Sequence, residues 1–246
     1  STKRSLIFNE LNKSLYQKFF LTTEEIQACR DGYIYIHDMS ARRDTMNCCL
    51  FDVEAVLKGG FEMGNLWYNE PKTLDVAFDV IGDIVLSAAS QQYGGFTVPN
   101  IELILEPYAE KSYEKGIEKY EALGLSRERA EAESLKDVQK EFCQGFQGLE
   151  YKFNSVSSSR GDYPFITVTA GTGTGRFAKM AAITMLDVRR RGQGKEGHKK
   201  PVLFPKIVFL YDENLHGPGG ELEDVFEAGI ECSSKTMYPD WLSLTG

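Results

Sequence analysis

Residues 165–211 limit the fold of this chain more than any other stretch. Phe165-Ile166-Thr167-Val168-Thr169 is a short β-branched and aromatic run, and Val202 to Tyr211 is a second apolar run of strand character. Between them Phe177 to Arg191 reads as a helix, followed by a Gly/Lys/His loop to Lys200. Antiparallel neighbours can be joined by a short turn, whereas parallel neighbours need a long, usually helical, crossover. The unit is therefore βαβ, with a parallel pair and a right-handed connection. That places the chain in the α/β class, and 246 residues suffice for a full core.

The rest of the chain supplies mostly helices. Leu6, Leu11, Leu15 and Phe19 give residues 1–20 an amphipathic helical spacing, and Thr22 or Thr23 caps a second helix with Glu25 in its first turn. Gly32 ends it, and Tyr33 to Ile36 reads as a strand. Phe51 to Lys58 is helical and closes at Gly59-Gly60, and a Gly/Asn/Pro-rich connector runs to Pro71. Lys72 to Gln92 is a helix with a core stripe of Leu74, Ala77, Phe78, Ile81, Ile84, Val85 and Ala88. Residues 103–148 form a highly charged helical hairpin, split at Gly124 with Ser126 as N-cap; it is a solvated face or a subunit interface. Glu221 to Ser234 is helical again.

The chemistry concentrates in Tyr35 to Asp52, which holds His37-Asp38, Arg42-Arg43, Asn47 and the adjacent Cys48-Cys49. Neighbouring side chains diverge on a helix or a strand, so one thiol should face a site and the other the core. The plainer alternative has both as small buried apolar residues. Gly171-Thr172-Gly173-Thr174-Gly175, between strand and helix, is placed to meet a phosphate, but GxGxG is not the dinucleotide spacing and the Walker lysine is missing; a mobile loop is the competing reading. Ser157, Ser158, Ser159 and Arg160, ahead of Asp162, suit a phosphate or ribose, or form a polar turn. Gln91 to Pro99 breaks its helix at Gly94-Gly95, either for close backbone approach to a ligand or as a tight turn. Asp79 and Asp83 read as a solvated face. Arg189-Arg190-Arg191 with Lys195, Lys199 and Lys200 is a helix C-terminus or an anion-binding loop.

Composition excludes several classes. A net charge of −8 argues against a broad nucleic-acid or anionic-membrane surface, and no run approaches the roughly 20 apolar residues of a membrane span. Five cysteines without a CxxC give no metal site within the chain and fit a reducing cytoplasm. No serine nucleophile motif accompanies His37-Asp38, so a hydrolase triad is weak.

Tyr35 to Asp52, taken with Ser90-Gln91-Gln92-Tyr93-Gly94-Gly95-Phe96, Phe153 to Phe165, Pro201-Val202-Leu203-Phe204-Pro205-Lys206 and Tyr238-Pro239-Asp240-Trp241, resembles the anaerobic (class III) ribonucleoside-triphosphate reductases, a group of glycyl radical enzymes. The resemblance runs over nearly the whole chain. It implies a ten-stranded α/β barrel made of two half-barrels, in which a thiyl radical, generated from a glycyl radical, removes the ribose 3′ hydrogen before the 2′ hydroxyl leaves as water. Carried onto this chain, Cys48 becomes the second active-site thiol, serving the reduction, and Asn47 bonds the substrate or positions the thiol. Asn154, Ser157, Ser158 and Arg160 line the substrate pocket. Residues 103–148 resemble the helices of the dimer contact and the deoxynucleotide (dNTP) specificity site.

The sequence lacks an RxxGY glycyl-radical motif, paired zinc cysteines, an MGCR-like thiyl segment and an ATP-cone. Residues 1–246 are accordingly expected to be a partial catalytic domain, the first half of the barrel, which binds but does not turn over alone. The resemblance places the glycyl radical, a structural zinc, ATP and dNTP effectors and a radical-SAM activating enzyme with the full-length homodimer. Two other readings stand beside it: a non-catalytic nucleotide-binding or dimerisation module with Cys48 merely buried, and a different glycyl radical enzyme such as a formate-lyase relative.

Overall fold

The computed structural model describes residues 2–37, 39–40, 46–92, 94–155 and 165–245. Helices α1 (Thr2–Phe20) and α2 (Thr23–Arg30) lead to β1 (Cys49–Leu50), the short α3 (Val53–Leu57), and a hairpin of β2 (Phe61–Met63) with β3 (Leu66–Tyr68). Then come α4 (Leu74–Ala89), β4 (Phe96–Val98), α5 (Ile101–Ala122), α6 (Arg127–Ser155), β5 (Ile166–Ala170), α7 (Arg176–Arg191), β6 (Lys206–Tyr211), α8 (Glu213–His216), α9 (Glu223–Ser233) and β7 (Asp240–Ser243). Strands β1, β4, β5, β6 and β7 form one sheet in chain order, and every neighbouring pair is parallel. Right-handed crossovers that never reverse direction put the connecting helices on one face, as in a barrel wall rather than a doubly wound sheet.

Alternation along the strands follows from that arrangement. Phe96, Val98, Ile166, Val168, Ala170, Ile207 and Phe209 are buried, while Thr97, Thr167, Thr169 and Val208 between them are half-buried. The helices form a continuous packed layer in which α4 and α5 meet α6, α5 and α6 meet α7, and α7 meets α9. Phe78 of α4 sits edge-on to Phe142 and Phe146 of α6, with ring centroids 6.3 and 5.0 Å away. A Cβ on Gly145 would lie 2.1 Å from the Phe78 ring, so glycine is what lets these helices approach.

The βαβ unit lies where the sequence put it, although β6 begins at Lys206 and residues 201–205 are coil. Thr22 forms a capping box with Glu25. The α4 stripe is buried except Ala88, which is half-buried, and the long hairpin turns at Gly124, whose φ is +90°. Other expectations fail. Tyr33 to Ile36 is not a strand: Tyr33 and Tyr35 are exposed, and the Tyr33 and Ile34 amides bond back to Ala28 O at the end of α2. Strand propensity there meets no partner strand. The connector before Pro71 contains the β2–β3 hairpin, turned through Gly64-Asn65 with Gly64 at φ +65°. By sequence the charged hairpin offers Leu123, Leu125, Leu135, Val138 and Phe142 to a subunit contact, but Val138 and Phe142 pack in the core, while Leu123 is exposed. No helix of the described residues is long and apolar enough to cross a membrane.

Candidate active site

The conspicuous sequence motifs gather at one rim of the sheet, where the strands begin. Asn47-Cys48 precedes β1, Gly94-Gly95 precedes β4, Phe165 precedes β5, Phe204-Pro205 precedes β6 and Tyr238-Pro239 precedes β7. Simple α/β barrels carry their chemistry at the opposite, carboxyl ends of the strands.

Parallel pairing continues past the strand ends and sets the geometry. Met46 bridges Gln92, the Gly94 amide donates to Asn47 O at 2.6 Å, and the Cys49 amide donates to Gly95 O at 3.1 Å. The two segments approach so closely that a Cβ on Gly94 would stand 2.5 Å from Asn47 Oδ1 and 2.7 Å from both Asn47 O and Cys48 Sγ. The glycine thus serves approach by the thiol segment itself. Cys48 and Asn47 are exposed, and Cys48 Sγ accepts a hydrogen bond from the Gly95 amide at 3.2 Å. Cys49 is half-buried, and its thiol donates to Gln92 Oε1 at 3.0 Å. Burial pushes the Cys49 thiol up, and the neighbouring Cys48 adds to it. The adjacent thiols therefore diverge, as alternation requires.

Behind the rim, two polar side chains hold the loops. Asn154 Nδ2 donates to Glu150 O at 2.7 Å and Phe204 O at 2.6 Å, and its Oδ1 accepts from the amides of Leu203 and Phe204 at 3.2 and 3.0 Å. Its hydrogen-bonding capacity is taken up by backbone, so it shapes the wall instead of presenting a spare amide. Arg189 is fully buried: Nε donates to Glu150 Oε1, Nη2 donates to Pro205 O, both at 2.7 Å, and the guanidinium lies 5.0 Å from the Tyr238 ring centroid. One side chain thereby ties the lead-ins of β6 and β7. Ser157, Ser158 and Arg160 lie outside the described residues.

Several other candidates turn out to be occupied. The glycine–threonine loop is not an open phosphate cradle, for the amides of Gly171, Thr172 and Gly173 donate to Glu102 Oε1 at 3.0, 3.1 and 3.3 Å. Glu102 is fully buried, and burial raises its carboxyl above the usual range although the loop amides pull the other way. This loop follows β5 and so faces the other rim. The arginines of the basic run are paired: Arg190 with Asp187 and Glu231 at 2.8 and 2.9 Å, and Arg191 with Asp187 at 3.0 Å, whereas Lys195, Lys199 and Lys200 are exposed. His37 is exposed and edge-on to Tyr35. Asp79 pairs with Lys152 at 2.9 Å. Among the described residues no group of three or more His, Cys, Asp or Glu side chains is arranged to hold a metal ion.

Sequence reasoning missed Gln92 and Arg189. Gln92 carries no spacing signal of its own within Ser90 to Phe96. Arg189 was masked by its two arginine neighbours, yet Ala178, Ala182, Met185 and Arg189 recur on one buried stripe of α7, and that helical phase was the available signal.

A singly wound, all-parallel sheet with an exposed thiol and a half-buried one on its leading rim is an α/β barrel wall. The family model of the anaerobic ribonucleoside-triphosphate reductases matches residues 1–246, and the chain belongs to that family. The anaerobic ribonucleoside-triphosphate reductase of Enterobacteria phage T4 is 34% identical over 98% of this chain and 40% of its own length; that of Haemophilus influenzae is 35% identical over 98% and 34%. The chain thus spans well under half of the curated relatives it matches. In fold it is similar to the anaerobic ribonucleotide reductase from Thermotoga maritima in complex with dATP and CTP, with a TM-score of 0.66 at 15% identity, covering 98% of this chain and 41% of that one.

Proposed function

We propose that residues 1–246 form the first half-barrel of the catalytic domain of an anaerobic ribonucleoside-triphosphate reductase, with Cys48 as the thiol of the reductive half-reaction. The observation that carries this reading is the exposed Cys48 sulfur, held by the Gly95 amide beside Asn47 on the leading rim of a family-matched barrel wall. Asn47 then bonds the substrate or orients the thiol. Ser157, Ser158 and Arg160, which follow Asn154 in the sequence, supply hydroxyls and a guanidinium suited to the ribose and triphosphate. Asn154 acts on the site by fixing the Leu203–Phe204 backbone.

The family's radical chemistry needs groups that this sequence does not supply. It has no RxxGY run, and its cysteines do not assemble a zinc site among the described residues. The glycyl radical, the thiyl cysteine, the structural zinc and the contact with the radical-SAM activating enzyme are assigned to the part of the relatives' length beyond this span. Hairpin α5–α6 is assigned to the homodimer contact and the dNTP effector site, using its exposed residues, Leu123 among them. Light scattering that finds only monomer at high concentration rejects that assignment. The central test places Cys48→Ser in the complete reading frame. Deoxynucleotide formation should vanish while folding and dNTP binding persist; retained turnover rejects the reading.

A further inference from the structure

The rim gives its two adjacent thiols opposite hydrogen-bond partners, and one side chain connects both. Gln92 is 4% exposed, and its Nε2 donates to Gly95 O at 2.8 Å and reaches Gly94 O at 3.4 Å. Two carbonyls on that side fix the amide orientation, since an oxygen there would face two acceptors. Gln92 Oε1 is therefore the atom facing Cys49 Sγ at 3.0 Å, and because it only accepts, the proton in that contact belongs to Cys49. The Gly94 carbonyl and the Gly95 N–H share one peptide plane and point opposite ways. Gln92 holds the carbonyl side of this plane, and Cys48 Sγ receives the N–H on the other, at 3.2 Å.

We propose that Gln92 is a positioning residue that sorts the two thiols, keeping the Gly95 amide on Cys48 and tying Cys49 down as a hydrogen-bond donor turned away from the site. The inference rests on Cys48 being the site thiol. It assigns a role to a residue that touches no reacting atom. The backbone bridge between Met46 and Gln92 holds the segment independently of this side chain, so the amide can be changed while the ladder remains.

The test is brief iodoacetamide labelling of the reduced 246-residue chain, with fragmentation between the adjacent cysteines to read each rate, and thermal unfolding to confirm that each variant is folded. The wild type should label Cys48 on the order of tenfold faster than Cys49, because one thiol is exposed and the other is half-buried and bonded through its proton to Gln92. Gln92→Met keeps length and loses the amide, so Cys49 should speed up and Cys48 slow down, bringing the ratio to about threefold or less. Gln92→Glu still offers Cys49 an acceptor but sets a second acceptor against the Gly94 and Gly95 carbonyls. Cys49 should stay protected there while Cys48 alone slows. A plain packing role predicts no such split, so equal acceleration of both thiols in both variants overturns the proposal, as do unchanged rates in folded Gln92→Met. If Cys48 is not the faster thiol in the wild type, the reading of Cys48 falls, and this proposal with it. A fast Cys48 with unmoved rates rejects Gln92 alone.

Discussion

Arg189 Nε and Glu150 Oε1 meet 2.7 Å apart with essentially no exposure of either side chain. Two buried charges survive only with close geometry and further hydrogen bonds. Glu150 Oε2 accepts from Gln193 at 2.5 Å, and Arg189 Nη2 reaches Pro205 O. The pair stands behind the loops that lead into β6 and β7, so it links core stability to the shape of the candidate site.

Removing one partner should therefore be worse than removing both. Arg189→Met strands the Glu150 carboxylate and should cost about 3–5 kcal/mol in urea unfolding, whereas the double variant with Glu150→Met should recover a large part of that loss. A double variant no more stable than the single one would show that the bonds to Pro205 O and the stacking on Tyr238, and not the stranded charge, dominate.

Glu102 should give the protein a recognisable pH dependence. Its carboxyl is raised in the fold by burial, so the unfolded chain ionises first as pH rises. Stability contributed by this group is complete below the ordinary carboxylate range. It is lost between that range and the raised folded value, and is constant above it. Glu102→Gln keeps an oxygen for the three loop amides and removes the titration, so the difference between variant and wild type should change only across that window. Glu102→Ala leaves the three loop amides unpaired, two of them buried, and should cost about 3 kcal/mol or more below the window, with a smaller cost above it. Denaturant melts from acid to neutral pH check both.

How much of this was legible follows from where each element's stability comes from. The βαβ unit, the α4 stripe and the Thr22 cap are local patterns with a fixed period or offset, and they read correctly. Tyr33 to Ile36 has the same strand-like composition as Ile166 to Ala170 but no neighbour to pair with, and a sequence does not reveal partners. The thiol pair was visible as two letters, and alternation separated them. Which carbonyls, amides and side chain would face each sulfur depended on docking of residues 46–49 onto 92–95, some 43 positions apart. Glu102 plugging the glycine loop is likewise a contact across 69 to 71 positions, so the loop looked vacant.

Asn154 offers the sharpest separation between shaping the pocket and touching its contents. Its two N–H donors go to Glu150 O and Phe204 O, and its oxygen takes the Leu203 and Phe204 amides. Asn154→Asp preserves size and the acceptor for those two amides, but it sets an acceptor against two carbonyl oxygens. Asn154→Ala loses all four bonds without adding repulsion. If the residue pins the backbone, both variants should lose on the order of 2–3 kcal/mol, with Asp at least as damaging as Ala at neutral pH. Acidification should then recover part of the Asp variant's loss, because a protonated carboxyl can donate to one carbonyl again. A residue whose business is the substrate would behave otherwise: both variants would melt with the wild type, and only nucleotide binding by the full-length enzyme would change. Urea melts of the three proteins at neutral and acidic pH decide between these outcomes, and unchanged melting midpoints would remove Asn154 from the wall and return it to the pocket.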